Sequence, residues 1–131
     1  MILTRTQIRN LAMLAGFPTA DLATAVAICL AESGGDPAKY NPESDFFQRH
    51  GISLGRSIGQ GSYGLWQIFR HEHPEFNAVN LHEPLVNAFA AFDVYHAAGG
   101  SFDPWSSYDH GNGPYKKFLE NPETAGAEVI P

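Results

Sequence analysis

Residues Leu22 to Ala31 read LATAVAICLA, with no charged side chain, and Glu32-Ser33-Gly34-Gly35 follows at once. An apolar run closed by two glycines reads as a helix that must be buried, so the rest of the chain has to be arranged around it. Leu22, Val26 and Leu30 define its expected stripe, and Glu32 then points away from that stripe toward a cleft or solvent. A carboxylate at the C-terminal end of a helix faces the negative end of the dipole, which disfavours ionisation. Apolar or aromatic neighbours such as Tyr63 and Trp66 would push its pKa the same way by desolvation. A carboxylic acid kept protonated near neutral pH is what glycosidic cleavage requires of its general acid. The plain alternative is a solvated Glu, the usual state of this residue type.

A second motif weighs against that alternative. Ser62-Tyr63 is followed by Gly64-Leu65-Trp66-Gln67-Ile68, and further on stands Tyr108-Asp109-His110-Gly111. Together with Glu32-Ser33, these segments resemble the soluble lytic transglycosylase and goose-type lysozyme superfamily, most of all its compact phage-type members. The family pattern is Glu-Ser, Gly-Leu-(Met/Trp)-Gln-(Ile/Leu), then a Tyr-Asn-x-Gly-like turn, in which Asp109 here replaces Asn. The resemblance spans residues 19–120, and the order of the motifs makes it more specific than any one alone. It implies a mainly α, α+β lysozyme-like fold, a helical domain with a small β element flanking a glycan-binding cleft. The implied substrate is peptidoglycan, cut between N-acetylmuramic acid and N-acetylglucosamine. Glu32 would be the general acid and base, with Ser33, Ser62, Tyr63, Gln67 and Tyr108 binding substrate. Gln67 has a bland reading too, as a strut bonded to buried backbone.

The outcome of cleavage is open between a 1,6-anhydro product, from attack by the muramic 6-hydroxyl, and hydrolysis by water. Two-carboxylate hydrolysis needs a partner about 5–5.5 Å away for retention or about 6.5–9.5 Å for inversion. Asp36, Glu43 and Asp45 are the candidates, and no motif fixes any of them; solvated surface roles are expected for Glu43 and Asp45. A rival reading is a non-catalytic glycan-binding or virion structural domain that retains the fold. Intact Glu32 and Gln67 count against it, while Asp109 and the acidic balance count for it.

Composition narrows the rest. At 131 residues and 44% apolar content the chain is expected to form a single domain, 1–131, with a real core. A net charge of −6 leaves no basic stripe to neutralise phosphates, which argues against nucleic acid. The single cysteine, Cys29, sits among apolar residues and reads as an inert core thiol. Leu22–Ala31 is too short to span a bilayer and follows Asp21 rather than a basic region, so neither membrane insertion nor a signal peptide is expected. A monomer acting at the bacterial cell wall would then arrive through a phage holin, a virion that injects it, or host lysis. His71-Glu72-His73 lacks a third ligand at a recognised spacing, and Gly59-x-Gly61-x-x-Gly64 lacks the strand and helix of a dinucleotide site. No metal or cofactor is expected.

Along the chain, Thr4-x-x-Gln7 is a capping box opening a first helix with Ile8, Leu11 and Ala15 on one face, stopped by Gly16. Residues 36–62 read as irregular, and 42–61 as an insert that could fold over the cleft through Phe46 and Phe47 or remain a mobile linker. Ser62 to Phe69 has β-like composition. Glu83-Pro84 opens a third helix whose four-spaced face is Leu85, Phe89, Phe92 and His96, against which Trp105 should pack. A last helix runs from Pro114 through Leu119 to a break at Asn121-Pro122, and the tail 123–131 reads as loose.

Overall fold

The apolar helix lies at the centre. In the computed structural model, which describes residues 1–120, it spans Leu22–Ser33 (α2), and Ala25 through Cys29 are all buried. The anticipated stripe is therefore too narrow: α2 is enclosed on every side through its middle, which its lack of charge permits. Around it stand α1 (Arg5–Ala15), α4 (Pro84–Ala97) and a short 3₁₀ helix, Pro114–Phe118, where the sequence suggested an α-helix. The break at Asn121-Pro122 and the tail 123–131 lie outside the described residues.

Helix ends follow local chemistry. Thr4 and Gln7 close the capping box in both directions, Gln7 N–H donating to Thr4 Oγ1 at 3.1 Å and Thr4 N–H to Gln7 Oε1 at 2.8 Å. Gly16 and Gly34 end α1 and α2 in left-handed conformations. Glu83 caps α4 by accepting Val86 N–H at 2.8 Å, ahead of Pro84 in the first turn. Asp21, by contrast, does not cap α2; its carboxylate accepts a hydrogen bond from the Tyr95 hydroxyl and so ties the start of α2 to α4.

The four-spaced face expected on α4 is not the buried one. Asn87, Ala88, Ala90, Ala91, Val94 and Tyr95 face inward, while Phe89 is 48% exposed and His96 is also exposed. Small alanines let α4 approach closely, and the large rings are left to its margin. Phe92 there meets Phe17 edge-on, and Phe17 also gathers Trp66, Tyr95 and Phe102 within 6.4 Å between ring centres.

A three-stranded antiparallel sheet lies beside the helices: β1 (Tyr40–Asn41), β2 (Ser62–Tyr63) and β3 (Ile68–Phe69), in that order. Asn41 pairs with Ser62, and Ser62 with Phe69. The segment between β1 and β2 is not irregular throughout. It contains α3 (Ser44–Arg49), whose Phe47 is fully buried against Phe69 and His71. Two adjacent phenylalanines hid this helix in the sequence, because only one of them is an anchor; Phe46 is partly exposed.

Candidate active site

Glu32, in the last turn of α2, lines a cavity of about 310 Å³. β2 and β3 contribute Ser62 and Phe69, the turn between them contributes Gln67, and the loop after α4 closes another side with Pro104, Trp105 and Ser106. The segment before and within α3 adds Glu43, Phe46 and Arg49, and Glu72 and His73 follow β3. Residues 42–49 are thus a wall of the cavity, docked by Phe47.

Burial pushes the Glu32 carboxyl above the usual carboxylate range, as its place at a helix C-terminus also favours. The Ser107 hydroxyl and N–H beside it act in the opposite direction, the Glu43 charge adds to the rise, and Lys39 opposes it. Ser107 Oγ is buried and completes no hydrogen bond among the described residues, so its approach to Glu32 stops short of full bonding geometry. Ser107 immediately precedes Tyr108, and the only signal for it in the sequence is that adjacency.

The other anticipated site residues divide. Ser62 and Gln67 reach the cavity; Ser33, Tyr63 and Tyr108 do not line it. Ser33 is buried, its hydroxyl donating to Cys29 C=O at 3.1 Å and accepting Gly35 N–H at 3.1 Å, so it finishes α2. Tyr63 alternates with Ser62 along β2 and falls on the opposite face, where it packs on Tyr40, lies beneath Arg70 and donates to Gly59 C=O at 2.9 Å. Tyr108 packs between Phe102 and Tyr115, behind Ser107. Gln67 combines both readings: it borders the cavity, but its amide donates to Gly64 C=O at 3.0 Å and Lys39 C=O at 3.2 Å. Of the second-carboxylate candidates, Glu43 enters the cavity; Asp36 instead accepts Ala38 N–H at 2.9 Å, and Asp45 is exposed. The expected surface role of Glu43 is corrected by its bond from Ser62 Oγ at 2.9 Å.

The turn carrying Gln67 hangs on Asn87 of α4. Asn87 accepts Trp66 N–H at 2.9 Å and donates to Tyr63 C=O and Leu81 C=O, each at 2.8 Å. Gly64 must be glycine here: its φ is +75°, and an added methyl would collide with Leu81 C=O and the Asn87 amide. Two indoles complete the frame, Trp66 Nε1 donating to Ala25 C=O at 3.0 Å and Trp105 Nε1 to Trp66 C=O at 2.8 Å. Trp105 is therefore bound chiefly to the motif turn, at the edge of the cavity.

A family model described as a lysozyme-like domain matches residues 9–107, from α1 through the loop carrying Ser107. The chain belongs to the lysozyme-like domain family. No curated protein and no solved structure gives a match. For this lysozyme-like domain, membership suggests glycosidase activity related to peptidoglycan, and the mainly α fold with a small sheet agrees with it. Among the described residues no three His, Cys, Asp or Glu side chains converge to hold a metal ion, and no helix is long and apolar enough to cross a membrane. Burial raises the Cys29 thiol far above its ordinary pKa, which leaves it a poor nucleophile.

Proposed function

We propose that this lysozyme-like domain is a muramidase that cleaves the β-1,4 bond between N-acetylmuramic acid and N-acetylglucosamine, with Glu32 as general acid. The observation that carries the reading is a desolvated carboxyl at the end of the buried helix, opening into a cavity with Trp105, Phe46 and Phe69 on its walls. Aromatic faces suit the apolar faces of sugar rings, and Ser62 and Gln67 add polar groups beside them. Glu32 gives its proton to the glycosidic oxygen as the C1–O bond breaks. The carboxylate left behind meets the Ser107 N–H and hydroxyl, donors that favour its charged form. Ser33, Tyr63 and Tyr108 act behind this surface rather than on it.

Release of soluble fragments from purified peptidoglycan tests the reading. Glu32→Gln keeps the shape of the side chain but has no proton to donate, and should lower release by at least about 10²-fold, the low end for general acid catalysis. Wild-type release should fall as pH rises through the elevated pKa of Glu32. A folded Glu32→Gln variant cutting at near wild-type rate would refute the assignment.

A further inference from the structure

We propose that Glu43 is a second catalytic carboxylate, taking the proton of an attacking water, so that the site hydrolyses its glycan instead of closing an anhydro ring. The inference rests on the reading of Glu32 as general acid. Its basis is how the chain builds Glu43 into the cavity. Glu43 lies in a segment whose composition suggests a solvated loop, yet it lines the same cavity as Glu32. Its backbone is left-handed, φ 56° and ψ 39°, a conformation that non-glycine residues avoid unless their surroundings enforce it.

Three contacts enforce it. Glu43 N–H donates to Asn41 Oδ1 at 3.0 Å, Glu43 C=O accepts Phe47 N–H at 3.1 Å to start α3, and Oε1 accepts the Ser62 hydroxyl at 2.9 Å. Asn41 and Ser62 are cross-strand partners, so one side of the β1–β2 pair grips both the backbone and the carboxylate of Glu43. Buried Phe47 fixes the far end of the grip. Ser62 occupies one carboxylate oxygen, and Oε2 has no hydrogen-bond partner among the described residues. A carboxylate oriented through one oxygen and open at the other is arranged to accept a proton.

The two carboxyls sit in different surroundings, Glu32 enclosed at the end of α2 and Glu43 held by the Ser62 hydroxyl. Glu32 is desolvated, and the negative charge of Glu43 adds to the retention of its proton. In the step itself, the Glu32 proton passes to the glycosidic oxygen, which leaves with the C1–O electron pair. Water oxygen bonds to C1 and gives its proton to Glu43 Oε2, leaving Glu32 ionised, Glu43 protonated and a reducing end on the muramic acid. Exchange with solvent restores both carboxyls. An intramolecular attack by the 6-hydroxyl would need no water and no carboxylate at Glu43.

Purified peptidoglycan digested by wild type, Glu43→Gln, Glu43→Asp and Glu32→Gln, with soluble products weighed by mass spectrometry, decides it. Wild type should release reducing ends, heavier than anhydro ends by one water. Glu43→Gln keeps an acceptor for Ser62, and should lower kcat by at least about 10²-fold with KM little changed. Glu43→Asp, which keeps the carboxylate on a shorter stem, should recover part of that loss, and melting curves should show both variants folded. Predominantly anhydro ends from wild type, or Glu43→Gln within about twofold of wild type at this resolution of rate, would overturn the proposal. If Glu32→Gln is inactive while Glu43→Gln is normal, only the role of Glu43 falls. If wild type releases nothing, or Glu32→Gln is fully active, the muramidase reading falls and takes this one with it.

Discussion

Replacing Asn87 by Ala should be among the most damaging single changes in the protein, although Asn87 touches no part of the cavity surface. The side chain is fully buried and satisfies three backbone groups, the Trp66 N–H and the carbonyls of Tyr63 and Leu81. Truncation removes the partner of all three, two of them buried and the Tyr63 carbonyl part-buried. A buried backbone group left unsatisfied costs about 1–3 kcal/mol, so three cost at least about 3 kcal/mol. That is a large share of the roughly 5–15 kcal/mol by which a domain is stable. For a chain of 131 residues, the corresponding fall in Tm is about 10 °C or more. Asn87→Asp is the informative companion. It keeps an acceptor for Trp66 N–H but turns an oxygen toward two carbonyls, so it should be no better than Ala. Urea denaturation followed by circular dichroism gives the free energies directly. A loss below about 1 kcal/mol for Asn87→Ala would mean that the turn readjusts or admits water, and the additive reasoning would be wrong.

Gln67→Ala should reduce both activity and stability, the latter by about 1–3 kcal/mol because the Gly64 and Lys39 carbonyls lose their donor; rate per folded molecule and denaturation midpoint separate the two effects. Phe47→Ala should cost up to about 3–5 kcal/mol of local packing and loosen the wall bearing Glu43, read as faster hydrogen exchange in residues 42–61 and lower activity. Replacing 42–61 by a short linker should accordingly not be neutral. Glu32→Gln should make the fold more stable at neutral pH. The folded carboxyl titrates above its unfolded value, so the unfolded state releases its proton first and wild-type stability falls as pH rises between the two. Thermal melts should coincide well below the ordinary carboxylate range and separate above it, with the variant higher; the reverse order would refute the desolvation argument.

Local rules carried the sequence a long way. The capping box at Thr4, the stops at Gly16 and Gly34, and the Pro84 start are set by neighbours within a few residues, so they were legible. Glu32 was legible for the same reason: an acid ending an apolar helix is a local pattern. Less visible were features whose partners lie far away in the chain. Glu43 depends on Ser62, Asn87 on the turn at Trp66, and Ser107 on Glu32, and no periodicity links these positions. Tyr63 and Tyr108 misled in another way. Each stands beside a residue that does face the carboxyl or the cavity, Ser107 and Ser62 respectively to Tyr108 and Tyr63, and a shift of one residue turns a side chain to the other face. On α4 the four-residue spacing of large rings outweighed the alanines, whereas close packing favoured the small side chains.

The two indoles that brace the cavity are also the only two tryptophans in the chain. The protein's tryptophan fluorescence therefore originates entirely from the seam joining α2, the Gly64–Gln67 turn and the loop at Pro104. Trp66 is sealed in the core and Trp105 borders the cavity, so the emission combines an interior reference with a probe at the wall. Glycan entering the cavity would alter the surroundings of Trp105 and leave those of Trp66 unchanged. Occupancy and integrity of the site can thus be followed optically in the unmodified chain, without attaching a dye to either partner.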